Sequence, residues 1–294
     1  MKIAIYSRRF DNNLLISFKE LYTKSCAAGA EIYLYEPLYK YVVDNHIECS
    51  TCSKFFSQPD EISEEINFFV SLGGDGTFLH SVSFIRNKNI PIIGVNVGRL
   101  GFLADIPRSG ISKSMNAIFS NEYFIEKRTL LEFQSPKGIF DDFPYALNDI
   151  TIQKKGTSIV TIHIYLENQL LNTYWTDGLI ISTPTGSTAY SLSAGGPIVA
   201  PDCENFIISP IASHNLSVRP FVISDKNTIK LKVESRTTDF LATLDYKTAE
   251  LSTKEEITIK KADFKINIIK PRNHSFFNTI SEKLLWGKDK RNYT

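Results

Sequence analysis

Two stretches of this 294-residue chain gather residue types that do chemistry. The first is Gly73-Gly74-Asp75-Gly76-Thr77. It follows an apolar run from Ile66 to Leu72 and precedes Phe78, Leu79, Val82 and Ile85, which recur at helical spacing. The glycines therefore mark a strand-to-helix junction. Glycine there permits positive φ and lets a ligand come close to the backbone. The first amides of a helix lack partners and favour an anion such as phosphate. A carboxylate in such a loop repels that anion, so Asp75 points to another task. It could accept a proton from an attacking hydroxyl or act with a metal ion. The plainer alternative is a helix N-cap.

The second stretch runs from Thr176 to Pro197. Gly178 to Ser182 reads as a short strand. After it come threonines, serines, Tyr190, two prolines and three glycines, with little apolar content. That density of hydroxyls and backbone donors suits a ligand with sugar and phosphate groups better than it suits a core. A surface turn rich in turn formers is the bland alternative. Upstream, Asn148 and Asp149 set an amide beside a carboxylate at the end of an apolar segment.

The elements that must position these stretches differ in period. Lys2 to Ser7, Glu31 to Tyr35, Ile66 to Leu72 and Pro91 to Val97 read as strands. Asn12 to Ala28 and Pro37 to Asn45 read as helices, with Gly29 as a stop. Ile47 to Asp60 is polar and reads as a loop. Gly98 to Leu103 forms a second glycine-punctuated turn. Alternating strands and helices predict a mostly parallel sheet, with ligands at the carboxyl ends of its strands. Beyond about residue 122 the period becomes two: Val160, Ile162 and Ile164, then Ile229, Leu231 and Val233, then Phe264, Ile266 and Ile268. The expected organisation is an α/β domain over 1–121, joined by the helical segment and polar tail of 271–294, and an all-β domain over 122–270.

Composition bounds the function. At 43% hydrophobic and 22% charged the chain is ordinary globular protein, and a net charge of +1 argues against a general nucleic-acid or membrane-surface role. No apolar run approaches the ~18–20 residues of a membrane span. The first residues resemble a strand and not a signal peptide, so the default location is the cytoplasm. Cys49 and Cys52 form a CxxC with His46 upstream, but no second ligand pair follows at zinc spacing. Thiols in a loop are the expectation.

Taken together, the Gly73–Thr77 loop, the Gly98–Leu103 turn, the Asn148–Asp149 pair and the block Asp177–Pro197 resemble the NAD kinases. The glycine loop alone also occurs in diacylglycerol, sphingosine and phosphofructokinase families; the second block is far more specific. The resemblance implies ATP-dependent phosphorylation of the 2′-hydroxyl on the adenosine ribose of NAD, giving NADP. It implies an α/β N-terminal domain, a C-terminal β-sandwich, a divalent cation such as Mg²⁺, and a homo-oligomer (dimer or tetramer). By position, Asp75 matches the general base, and Gly74 and Gly76 the phosphate loop, with His80 one turn further on. Asn148 and Asp149 match the pair that orients the acceptor ribose. Thr188, Ala189, Tyr190, Ser191, Leu192 and Ser193 match dinucleotide contacts, with Asp177 in the same pocket and Lys247 in a hairpin near it. Two positions depart from the family. Asp149 stands where Glu is common, one methylene shorter. Trp175 stands where many members carry a cation, and would stack on a ligand ring or pack at an interface or core. A lipid or sugar kinase is the runner-up enzyme. A dinucleotide-binding regulator without catalysis is the non-enzymatic alternative, and Asp75 speaks against it.

Overall fold

A computed structural model describes residues 1–49, 52–98, 101–140, 143–215, 217–272 and 274–286, with backbone alone at 52 and 53. Ser50 and Thr51 of the CxxC, Arg99 and Leu100 of the second glycine turn, Asn273 and the 287–294 tail lie outside the described residues. The chain forms two compact units, residues 1–127 with 266–294, and residues 128–265.

The first unit is built from β1 (Lys2–Tyr6), α1 (Asn12–Ala27), β2 (Glu31–Tyr35), α2 (Glu36–Asp44), β3 (Cys52–Phe56), β4 (Phe68–Gly73), α3 (Asp75–Ile85), β5 (Ile92–Asn96), β6 (Ile106–Pro107) and α4 (Ile111–Phe119). Its strands lie in the order β3-β2-β1-β4-β5, all parallel. All six residues of β4 are buried, as a strand covered on both faces requires. Helix α1 starts where Asp11 accepts the Leu14 amide at 2.9 Å and stops before Gly29, at φ +68°. It buries Leu14, Phe18 and Leu21 on a core that includes Ile5, Val70 and Val95.

One expectation fails here. The polar stretch from Ile47 to Asp60 is not a continuous loop, because Cys52–Phe56 forms the outermost strand, β3. An edge strand keeps one face wet, and Phe55 is 48% exposed, so the stretch lacks the apolar run that betrays an interior strand.

The second unit begins inside β7 (Tyr123–Ser135). It continues through β8 (Tyr145–Ala146), β9 (Asp149–Lys154), β10 (Val160–Leu166), β11 (Gln169–Thr176) and β12 (Gly178–Ser182). A 3-10 turn at Thr185–Thr188 and the short α5 (Tyr190–Ser193) follow. Then come β13 (Asn205–Ile211), β14 (Phe221–Ser224), β15 (Ile229–Glu234), β16 (Asp239–Leu244), β17 (Lys247–Ser252) and β18 (Glu256–Pro271), whose last residues belong to the first unit. One antiparallel sheet has the order β14-β13-β12-β9-β16-β17; a second runs β11-β10-β15-β18. Ile162, Leu231 and Ile257 of one share a core with Leu179, Ile208 and Phe240 of the other, which makes a β-sandwich. The closing helix α6 (Phe276–Leu284) belongs to the first unit. Among the described residues no helix is long and apolar enough to cross a membrane.

Candidate active site

In the first unit, the glycine loop connects β4 to α3. Gly74 is the helix N-cap, with extended backbone, and its carbonyl accepts the amides of Thr77 and Phe78 at 3.0 and 3.1 Å. None of Gly73, Gly74 and Gly76 takes positive φ, so the expected left-handed conformation is absent. Their use is steric. A Cβ on Gly73 would overlap Thr77, whereas a Cβ on Gly74 or Gly76 would meet no atom within 4 Å among the described residues. That open space leaves room for a ligand against the backbone.

Asp75 is the first residue of α3 and does not cap it. Its carboxylate turns to the second glycine turn. Oδ1 accepts the Leu103 and Ala104 amides at 3.0 and 2.9 Å, and Oδ2 accepts the Phe102 amide at 2.8 Å. Gly101 is what permits this, since a Cβ there would overlap the carboxylate. The turn is itself braced: Asn96 Oδ1 accepts the Gly98 amide at 2.7 Å, and the Ala104 carbonyl accepts Asn96 Nδ2. Among the described residues Oδ2 accepts one hydrogen bond, which leaves a lone pair for a further donor. His80, partly exposed, sits on α3 past the loop, where its carbonyl accepts the Ser83 hydroxyl.

Close by in sequence is a buried charge cluster that motif reading misses. Asp105 is 5% exposed and pairs with Lys270, 1% exposed, and with His274 at 2.7 Å. Burial pushes the Asp105 carboxyl up, but these two partners outweigh it and hold it at about 2.

The second unit presents the Asn148–Asp149 pair at the start of β9. Its geometry depends on Asp245, in the turn between β16 and β17, a residue the motifs do not reveal. Asp245 accepts the amides of Leu147 and Asn148 at 2.8 Å each and of Asp149 at 3.2 Å. Asp149 is 7% exposed and accepts the Thr151 hydroxyl at 2.9 Å. Burial pushes Asp149 up to about 6; burial, then the charge of Asp149, push Asp245 up to about 7. The Asn148 side chain stays partly exposed, and its carbonyl accepts the Thr183 amide at 2.9 Å. That bond ties the pair to the hydroxyl-rich block. Gly186 packs there so closely that a Cβ would overlap the Asn148 carbonyl.

Within the block the hydroxyls divide. Thr183 donates to the Leu147 carbonyl at 2.6 Å, Ser187 donates to the Pro184 carbonyl at 2.7 Å, and Ser191 shares a hydrogen bond with Ser209 at 3.0 Å. Ser191 is fully buried, so its side chain serves the fold. Thr188, Ala189 and Leu192 are partly exposed; Tyr190 and Ser193 are exposed, and the Tyr190 hydroxyl accepts from Gln153 at 3.2 Å. Asp177 is engaged with Lys154 at 2.6 Å. Lys247 donates to the Phe143 carbonyl at 3.3 Å. Trp175, on the edge strand β11, is 55% exposed, which rules out core packing. Cys49 donates weakly to the Ile47 carbonyl and Cys52 opens β3. Among the described residues no three His, Cys, Asp or Glu gather where they could hold a metal ion.

A glycine loop at a strand-to-helix junction, a carboxylate fixed beside it and a hydroxyl-rich turn on a β-sandwich fit a phosphotransferase that handles a nucleotide. Comparison with known proteins narrows the class. Residues 36–123 match the model of the ATP-NAD kinase N-terminal domain and residues 147–271 that of the ATP-NAD kinase C-terminal domain. An NAD kinase of Flavobacterium psychrophilum is 41% identical over 295 residues, covering 99% of this chain and all of that one. One from Christiangramia forsetii is 42% identical with the same coverage. Among solved structures, yeast NADH kinase complexed with NADH shares the fold at a TM-score of 0.85 and 23% identity, covering 98% of this chain and 89% of the other. An NAD kinase from Archaeoglobus fulgidus in complex with ATP does so at 0.76 and 24%, covering 97% and 99%. The chain belongs to the NAD kinase family.

Proposed function

We propose that this chain transfers the γ-phosphoryl group of ATP to the 2′-hydroxyl of the adenosine ribose of NAD, giving NADP and ADP, with Asp75 as the general base. The observation that carries the assignment of Asp75 is its carboxylate, held by three amides beside two glycines that face open space. A base must be fixed in orientation before the acceptor arrives, and the amides do that. Oδ2, with one hydrogen bond, takes the proton of the attacking hydroxyl. Gly74, Gly76 and the first amides of α3 receive the donor phosphates.

Asn148 and Asp149 orient the acceptor ribose. Asp149 is shorter than the family's usual Glu, and a carboxyl lifted to about 6 accepts or donates a hydrogen bond to a ribose hydroxyl near neutral pH. Thr188, Ala189, Tyr190 and Ser193 contact the dinucleotide; their exposure supports this, whereas buried Ser191 supports them from behind.

The donor set suits Mg²⁺ carried in by the nucleotide. Such an ion takes most of its oxygens from phosphates and water, which leaves the remaining lone pair of Asp75 Oδ2 for the proton. When bound, it neutralises charge on the transferring group. Exposed Leu170 and Trp175 on edge strand β11, and Phe221 and Val222 on edge strand β14, support assembly into a homo-oligomer. The reaction serves a cytoplasmic enzyme.

Incubation with ATP, Mg²⁺ and NAD, followed by an NADP-specific dehydrogenase, tests the reading. NADP should accumulate; no NADP, with a lipid or sugar phosphorylated instead, rejects it.

A further inference from the structure

Lys283 stands in the last turn of α6, where its sequence position suggests a solvated charge complementing a helix C-terminus. Its ammonium is buried instead. Nζ lies 4.5 Å from the centroid of the Phe102 ring and, among the described residues, is a buried donor with no hydrogen-bond partner. Phe102 is also the residue whose amide donates to Asp75 Oδ2. One residue of the second glycine turn thus carries the loop carboxylate on its backbone and the lysine on its ring.

The charged groups that face Lys283 are Asp75, Asp105, Lys270 and Glu282. Asp105 is already paired with Lys270 and His274, which leaves it little to offer a third cation. Burial pulls the Lys283 ammonium below its ordinary pKa, and Asp75 opposes that most. Buried polar groups are almost always paired, and each one that is not calls for an explanation, a catalytic role or a bound ion among them. A cation over an aromatic face, beside a phosphate-type loop, is set for an arriving anion.

We propose that Lys283 Nζ binds the transferring phosphoryl group of the nucleotide donor at the Asp75 loop, and is a further catalytic residue of the reaction. The inference rests on the kinase reading. In the transfer, the bond from the γ-phosphorus to the ADP oxygen breaks as the bond to the ribose 2′-oxygen forms. The hydroxyl proton passes to Asp75, and ADP leaves with the bridging oxygen's electron pair. Negative charge spreads over the three equatorial oxygens of the transferring group. Lys283 keeps all its protons throughout and stabilises that charge in a desolvated site, where a fixed donor acts most strongly.

Lys283→Met keeps most of the apolar stem and removes the charge. In steady-state assays varying ATP and NAD, kcat should fall about 10²-fold or more, the scale for one lost charge-stabilising donor. NAD affinity by calorimetry should stay unchanged. Binding of a non-hydrolysable ATP analogue with Mg²⁺ should weaken by about tenfold, the scale of one charge-assisted contact. The melting temperature should stay level or rise, because the variant loses an unpaired buried charge; a merely structural lysine would lower it. Lys283→Arg should recover part of kcat. Unchanged analogue binding and kcat in Lys283→Met, or losses that track a fall in melting temperature and NAD affinity, would overturn the assignment. A parent protein that forms no NADP would overturn the kinase reading, while analogue binding by the two proteins would still judge the lysine's contact with phosphate.

Discussion

Replacing Asp75 by Asn separates its observed role as acceptor of three amides from its proposed role as general base. As a carboxylate, Asp75 accepts three amides: Leu103 and Ala104 on Oδ1, Phe102 on Oδ2. Asn offers one oxygen and one NH₂ group. If its oxygen keeps Leu103 and Ala104, the Phe102 amide faces another donor; the opposite rotamer strands two amides. Losing a hydrogen bond to a charged acceptor and leaving a donor unsatisfied costs roughly 2–3 kcal/mol. For a unit of this size each kcal/mol lowers the melting temperature by about 2–4 °C, so Asp75→Asn should melt roughly 4–12 °C below the parent. Its effect on turnover should be far larger than its effect on folding. Removal of a general base costs about 10²–10⁴-fold in kcat. The measurement is NADP formation at 25 °C, with circular dichroism showing that the variant is folded at that temperature and calorimetry showing that NAD still binds. Turnover within tenfold of the parent would refute Asp75 as the base. A melting temperature equal to the parent's would refute the amide cradle, whatever the kinetics.

Three further perturbations follow from the same geometry. Gly101→Ala places a methyl group on the Asp75 carboxylate, so the carboxylate must move; NADP formation should drop by about 10²-fold, the scale for a small displacement of a catalytic group, and an active variant would show that the cradle does not set the base. Gly186→Ala drives a methyl group into the Asn148 carbonyl, and since backbone cannot yield as a side-chain tip can, NAD affinity by calorimetry should fall at least about tenfold, a displacement effect on ribose contacts. Asp149 and Asp245, lifted to about 6 and about 7, hold protons more tightly folded than unfolded. Stability should therefore rise as pH falls from about 8 through these values toward the unfolded carboxyl value near 4. The melting temperature at pH 5.5 should exceed that at pH 8, with Asp149→Asn flattening the slope; a profile falling toward acid over this window would contradict it.

How much of this was legible in the sequence depended on whether a residue's partner lay nearby along the chain. The β4 run, the Val160–Leu166 alternation and the Gly29 stop announce themselves, because period and turn chemistry are local. The edge strand β3 did not, since Phe55 faces outward and the run is broken by Ser53 and Lys54. The hydroxyl block was visible as a site but not resolved within itself. Ser191 and Ser193 look equivalent in sequence, yet the first faces inward to Ser209 and the second outward. Asp245 was invisible because the amides it holds lie almost a hundred residues upstream. It sits in a hairpin turn at φ +52°, where Asp is an ordinary choice. Lys283 was hidden by its place at a helix C-terminus, where lysine is expected on general grounds.

The carboxylate in the phosphate loop remains the feature that asks most of the electrostatics. A negative charge at the first position of α3 is favoured by the helix dipole, and three amides stabilise it further, so the loop carries Asp75 at little cost. A triphosphate changes that balance, because it brings several negative charges toward a group that repels them. The residues 73–77 contain no cation. Relief has to come from outside the loop, and we propose that it comes from an ion that travels with the nucleotide and from Lys283, whose ammonium lies over the Phe102 ring and interacts with the charge of Asp75. On this view the second glycine turn is the part that couples the two. Its backbone fixes the proton acceptor and its aromatic side chain shelters the compensating charge. A substitution that shifts this turn should therefore disturb proton transfer and donor binding together.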